Sequence, residues 1–177
     1  MSEHEMDDEL QEMYEDPKRR EKVLSNDVLR LPIKSVRLQD AISISPESSV
    51  LEAIELMKSH KMGCLLVVDS KKVVGIFTER DLLYKLAGTK NDLSAVKVKQ
   101  YDTPNPEMLQ ANDEIGHALN LMHIGGYRHI PIVNAKGEPK AVLSIKDIVS
   151  FLCEYFPEDV LNVPSKPLRT TTEREGA

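Results

Sequence analysis

The sequence predicts a mixed α+β (α/β) fold made of one β-α-β-β-α unit used twice, and three observations carry that expectation. Residues 45–57 return as residues 110–122 at a constant offset of 65. Each copy carries an apolar stripe at helical spacing: Val50, Ala53, Ile54 and Met57, then Ile115, Ala118, Leu119 and Met122. The same offset superposes two short apolar runs, residues 62–69 and 127–134, of the kind that form buried strands.

The elements follow in order. The first helix of copy one opens on Ser49-x-x-Glu52, a capping-box pattern, and its counterpart opens near Asn112 and Asp113, both good caps. Met57 and Met122 fall on the core stripe and read as packing. After each apolar run comes a turn, Ser70-Lys71-Lys72 or Ala135-Lys136-Gly137-Glu138, the second one residue longer. A second strand follows at 73–77 and at 141–143, then a second helix at 79–87 and at 145–156. A unit of about 60 residues buries its faces poorly alone, so the copies are expected to pack together as one module.

Composition excludes several classes. The chain has 177 residues and two cysteines, Cys64 and Cys153, without a CxxC neighbour, which rules out a disulfide scaffold and a thiolate zinc cluster and suits a reducing compartment. Cys64 lies within an apolar strand and reads as inert core. The longest apolar runs, such as residues 64–68, fall far short of the ~20 needed to span a bilayer, and the acidic start is no signal peptide. A soluble cytoplasmic protein is expected. The net charge of −6 is uneven: residues 1–16 hold eight acids and no Lys or Arg, leaving 21 acids against 23 basic residues elsewhere. With aromatics at 5% and no basic stripe, nucleic-acid binding has no electrostatic footprint. The five histidines form no HExxH, and the chain contains no G-x-S-x-G, P-loop or G-x-G-x-x-G. No metal, no cofactor and no enzymatic chemistry are expected.

The ends read as appendages. Residues 1–33 are an acidic arm and linker, residues 34–93 and 94–156 the two domains, and residues 157–177 a tail whose composition points to disorder.

The second strand of each copy runs into a hydroxyl-x-x-Asp at the strand-to-helix junction. Copy one reads Gly75-Ile76-Phe77-Thr78-Glu79-Arg80-Asp81, and copy two reads Ala141-Val142-Leu143-Ser144-Ile145-Lys146-Asp147. This motif, twice in register within the repeat, resembles the cystathionine-β-synthase (CBS) domain pair, or Bateman module, over about residues 34–156. The resemblance implies a pseudo-two-fold relation between the repeats and adenosyl-nucleotide binding (AMP, ADP, ATP or similar) in clefts between them. It also implies residue roles. Thr78 with Asp81, and Ser144 with Asp147, would hold ribose hydroxyls, while Ile76 and Val142 would lie against adenine. The partner domain's lead-in loop would bring Ser45 near Asp147 and Gln110 near Asp81. Arg128 and His129 stand where the family often meets phosphates.

The residues themselves leave a second reading open. Thr78-x-x-Asp81 and Ser144-x-x-Asp147 are equally helix N-caps with an acid in the first turn. Arg80 and Lys146, in those same turns, read as solvated. Gly75 reads as a place of close ligand approach that Ala141 lacks. The functional expectation is a regulatory nucleotide-sensing module that signals through shape. The alternative is an interaction or dimerisation scaffold with vestigial clefts. A homodimer is expected from the apolar second helices (Leu82, Leu83, Leu86, Ile148, Val149, Phe151, Leu152), as is an effector protein that the sequence leaves unidentified.

Overall fold

Two hairpins and their helices build the core of the molecule, and the computed structural model describes them within residues 26–156. The acidic arm at 1–16, the start of the linker and the tail at 157–177 lie outside the described residues. The order is α1 (Asn26–Leu29), a 3-10 turn (Ile33–Ser35), β1 (Gln39–Asp40), β2 (Ser43–Ile44), α2 (Val50–His60), β3 (Cys64–Asp69) and β4 (Lys72–Thr78). Then come α3 (Glu79–Asp81) with a π-helical turn (Leu82–Leu86), a 3-10 turn (Val98–Gln100) and β5 (Thr103–Pro104). The second repeat contributes α4 (Ile115–Gly125), β6 (His129–Val133), β7 (Pro139–Ser144) and α5 (Ile145–Tyr155).

The strands form two sheets, ordered β2-β3-β4-β5 and β1-β7-β6. The hairpins β3–β4 and β6–β7 are antiparallel, with bulges between Val67 and Val68 and between Ile132 and Val133, again 65 residues apart. The runs of Leu, Val and Ile in β3 and β6 are buried on both faces, as strands covered on both sides must be.

Each sheet is completed by the segment that precedes the other repeat. Gln39 and Asp40 of β1 pair with Val142 and Ala141 of β7, while Pro104 and Thr103 of β5 pair with Gly75 and Ile76 of β4. The backbone bonds that fix this exchange come in matched pairs. Ile33 N donates to Asp113 O at 2.8 Å and Val98 N to Ser48 O at 3.0 Å; Ile115 N donates to Leu31 O at 2.9 Å and Val50 N to Val96 O at 3.0 Å. All four pairings obey the 65-residue offset, so the pseudo-two-fold extends back to the residues before each helical stripe.

The cores are exchanged in the same way. Val98 closes the cluster of Val50, Ala53, Met57, Leu65, Val67 and Phe77, whereas Ile33 and Val36 close that of Ile115, Met122, Ile130, Leu143 and Ile148. Between the sheets, Cys64, Leu66, Val73 and Ile76 of the first repeat meet Val133 and Val142 of the second. Neither repeat holds a complete core of its own, so the apolar burial that stabilises one requires the other.

The α2 capping box forms as expected, Glu52 N donating to Ser49 Oγ at 3.2 Å and Ser49 N to Glu52 Oε2 at 2.9 Å. The α4 caps differ from expectation. Its N-cap is Glu114, with no side-chain cap, and Asp113 instead accepts from Gln110 N at 2.7 Å. Ile115 N, whose partner is the Leu31 carbonyl, has no need of a side-chain acceptor. The second helix of copy one also differs: its regular α portion is only Glu79–Asp81, and the chain continues as a π-turn where copy two runs an 11-residue α-helix. In that turn Lys85 Nζ reaches Asp81 Oδ1 and the carbonyls of Tyr101 and Asp102.

Candidate functional site

β4 delivers Thr78 to the start of α3, and the local sequence makes this junction a capping box. Asp81 N donates to Thr78 Oγ1 at 3.3 Å, while Thr78 N and Oγ1 both donate to Asp81 Oδ2, at 2.9 and 2.6 Å. Copy two repeats the pattern: Asp147 N donates to Ser144 Oγ at 3.2 Å, and Ser144 N and Oγ donate to Asp147 Oδ2 at 2.8 and 2.7 Å. The N-cap reading of both motifs is therefore realised.

The remaining carboxylate oxygens differ. Asp81 Oδ1 takes Lys85 Nζ at 2.7 Å and Thr103 Oγ1 at 3.4 Å. Asp147 Oδ1 takes the neutral amide of Gln39 at 3.0 Å. Asp81 is 6% exposed, and its four donors match the roughly four lone-pair sites of a carboxylate. A diol reaching it must replace Lys85 or Thr103.

Beside Asp81 lies a cavity of about 310 Å³. Ile76, Thr78 and Asp81 line one wall, Tyr127, Arg128 and His129 the other, and residues 105–107 close it. The structure thus brings together five of the sequence-predicted site residues: Ile76, Thr78, Asp81, Arg128 and His129. Both guanidiniums of the lining, Arg80 and Arg128, and three carboxylates, Glu79, Asp81 and Glu107, surround the space.

The pseudo-two-fold explains why first-repeat and second-repeat residues meet here. Glu79 N donates to Gly63 O at 3.0 Å, and Ile145 N to Arg128 O at 3.0 Å, so each second helix starts on the strand lead of its own hairpin. Across the junction, Arg80 Nη1 donates to Gly126 O at 2.7 Å. Arg80, expected among solvated residues, therefore ties α3 to the C-terminus of α4. Gly126 holds the left-handed conformation (φ 64°) that presents this carbonyl, a position glycine fills without strain.

The cavity's ionisation is uneven. Burial, reinforced by the charge of Arg128, holds the His129 pKa below its ordinary value, while Glu79 and Asp147 pull the other way. His129 is therefore neutral at pH 7. Tyr127 is pushed up by burial and by Glu107. Asp102, behind β4, is raised mainly by burial, with Lys85 opposing and Asp81 adding to the shift. Burial, with smaller contributions from Glu79 and Asp147, pushes the Cys64 thiol up to about 12, so it stays protonated and unreactive.

Two predicted residues stand elsewhere. Gln110 is exposed in its own turn, bonded to Asp113, and residues 105–107 of the preceding stretch occupy the cavity edge in its place. Ser45 is likewise exposed, its Oγ accepting from Glu47 N at 3.2 Å. The short β5 strand fixes the chain against β4 three to five residues earlier than the helix-based alignment suggests, and Asn105 N completes the attachment by donating to Val74 O at 3.0 Å. At the second motif Val142 and Ser144 are buried, at 2% and 6%, and Ala41 packs on the central cluster containing Val142 and Cys64.

Gly75 serves the fold rather than a ligand: a Cβ there would collide with the Asp102 carboxylate and come within 3.3 Å of Thr103 O. Sequence reasoning also missed Glu79, Tyr127 and Glu107. The offset offered a signal, because Tyr127 and Glu107 fall where the other copy has Met62 and Ile42. Among the described residues no three His, Cys, Asp or Glu side chains gather as a metal site, and no helix is long and apolar enough to cross a membrane.

The duplicated architecture has a known counterpart. The CBS domain profile matches this chain twice, at residues 33–88 and 98–154. The chain belongs to the CBS domain family. It is 34% identical over 112 residues to a 17.7 kDa protein from the bps2 3′ region of Acidianus ambivalens, covering 63% of this chain and 66% of that protein. It is 32% identical over 128 residues to inosine-5′-monophosphate dehydrogenase of Nitrosopumilus maritimus, covering 71% of this chain but only 25% of the enzyme. Its CBS pair shares the fold of the CBS domain protein PAE2072 from Pyrobaculum aerophilum, solved with AMP (TM-score 0.63, 22% identity, 70% of this chain and 97% of that one). It also shares the fold of the CBS domain pair of protein MJ0100, solved with 5′-methylthioadenosine and S-adenosyl-L-methionine (TM-score 0.63, 21% identity, 70% and 97%).

Proposed function

We propose that this CBS pair, with domains at 34–93 and 94–156, is a regulatory module that binds an adenine nucleotide or related adenosyl ligand between its repeats and signals occupancy by a change of shape. One observation carries the reading: the cavity of about 310 Å³ joins Ile76, Thr78 and Asp81 of one repeat to Arg128 and His129 of the other. A ligand there bridges both halves, so binding energy is coupled to their relative placement. Ile76 and Tyr127 offer apolar contact to a base, Asp81 an anionic acceptor for a diol, and Arg128 a donor for phosphate. AMP and S-adenosylmethionine in the PAE2072 and MJ0100 structures support the ligand class. Val142, Ser144 and Asp147 form a second, weaker site, because their counterparts to Arg128 and His129 are Gly63 and Cys64.

The module has no chemistry of its own, acts in the cytoplasm and pairs as a homodimer through the apolar side chains left exposed on the second helices, Leu83, Tyr84, Val149 and Tyr155. Its output passes to an effector protein. A scaffold with vestigial clefts is the competing reading, favoured by one observation: both aspartates already satisfy their caps internally. A thermal-shift panel of AMP, ADP, ATP, NAD and S-adenosylmethionine separates the two. A ligand at 100 times its Kd adds ~2.7 kcal/mol to stability. A clear rise in Tm with at least one adenosyl compound is expected, and no shift with any of them assigns the chain to the scaffold.

A further inference from the structure

We infer that the first cleft selects an adenosyl ligand carrying a single phosphate and discriminates against the triphosphate, with Glu79 and Glu107 as the residues that set the limit. The inference rests on the reading of this cleft as the adenosyl site and names the ligand class within it. The charge around the cavity is nearly balanced. Asp81 is paired with Lys85 at 2.7 Å, which leaves the guanidiniums of Arg80 and Arg128 and the carboxylates of Glu79 and Glu107 as the other charges of the lining. His129, half-buried next to Arg128, adds no positive charge at neutral pH.

One phosphate carries about −1.5 to −2 and matches two guanidiniums. Each further phosphate adds anionic charge for which the lining holds no additional cation. Part of the cationic supply is also committed, since Arg80 Nη1 already donates to Gly126 O at 2.7 Å. Glu107 and Glu79 enter the lining from different segments. Glu107 acts on Tyr127 in the second repeat, and Glu79 begins α3 with its carboxylate beside Gly63. A longer phosphate chain therefore adds negative charge to a lining that already carries Glu79 and Glu107, and like charges brought together in this way act against the wrong partner.

The test is titration calorimetry of the full chain with AMP and with ATP at low salt without divalent cations, repeated on Glu79→Gln, Glu107→Gln and the double variant. Both carboxylates sit on exposed residues, so the amides leave the fold intact; a melting curve for each variant verifies that. The expected result is AMP binding at least tenfold tighter than ATP in the parent, with the gap narrowing severalfold in each variant and most in the double variant. ATP binding as tightly as AMP in the parent overturns the inference while leaving the adenosyl reading in place. So does a gap that none of the substitutions changes. Binding of neither nucleotide overturns the adenosyl reading itself, and this inference with it.

Discussion

The two repeats share their strand pairing and helix starts, yet the surroundings of their two aspartates are chemically different. Bulges and the motif capping boxes recur at offsets of 65 and 66, and Asp81 and Asp147 hold their helix starts by the same three bonds. What differs is the surroundings. Tyr127, Arg128 and His129 line the cavity beside the first motif, whereas the residues 65 positions earlier, Met62, Gly63 and Cys64, carry no ring, guanidinium or imidazole. Duplication thus preserves the parts that fold the module and frees one cleft to diverge. The lesson is that a motif shared by both copies reports on folding first. Function is read from what stands opposite it.

The sharpest way to break this comparison is to neutralise the two aspartates in turn. Asp81→Asn and Asp147→Asn should each cost about 1–2 kcal/mol of stability, because each removes the charged acceptor of a capping box. Their effects on AMP binding should diverge: at least tenfold weaker for Asp81→Asn, less than threefold for Asp147→Asn. Melting curves and calorimetry on both variants check this, and equal losses of affinity would remove the distinction between the clefts.

The next contrast lies behind the strands. Gly75→Ala drives a Cβ into the Asp102 carboxylate and should destabilise by about 1–3 kcal/mol, as overpacking does, with part recovered in Gly75→Ala/Asp102→Ala. Ala141 already carries a Cβ at the corresponding place and is buried at 8%. Ala141→Gly should cost only ~0.5–1 kcal/mol, the entropy of a glycine in a strand. Denaturant midpoints measure both.

The smallest effect concerns the strand starts, where His129 and Cys64 are counterparts with opposite pH behaviour. The folded-state pKa of His129 is depressed, so its contribution to stability is present above the unfolded value near 6.5 and is lost as pH falls through the lower folded value. The thiol of Cys64 is raised to about 12, so its contribution is present below the unfolded value near 8.5–9 and is lost as pH rises from there toward 12. Replacing His129 by Gln should flatten the acid limb of a Tm-against-pH profile, and Cys64→Ala should flatten the alkaline limb. A variant that flattens the wrong limb contradicts the assignment.

Much of this was legible in the sequence for a physical reason: helical stripes, buried strand runs and hydroxyl-x-x-Asp caps are local patterns, and a constant offset duplicates each one. The exchange of segments was not legible. Strands β1 and β5 are two residues long, too short to display a period, and their partners are the distant strands β7 and β4. That exchange is why residues 105–107, rather than Gln110, border the cavity. The Arg80 bond to Gly126 O and the Lys85 contacts were hidden for the same reason, since each joins residues that are distant in the chain or lie in a π-turn that no propensity announces.

The central claim is that one cleft, built jointly by Asp81 of the first repeat and Arg128 and His129 of the second, is the principal ligand site. Counting AMP bound per chain by titration calorimetry on the full-length protein tests it most directly. One tight site per chain is expected, with any second site at least tenfold weaker. Two sites of equal affinity per chain, or no AMP bound at all, would contradict it.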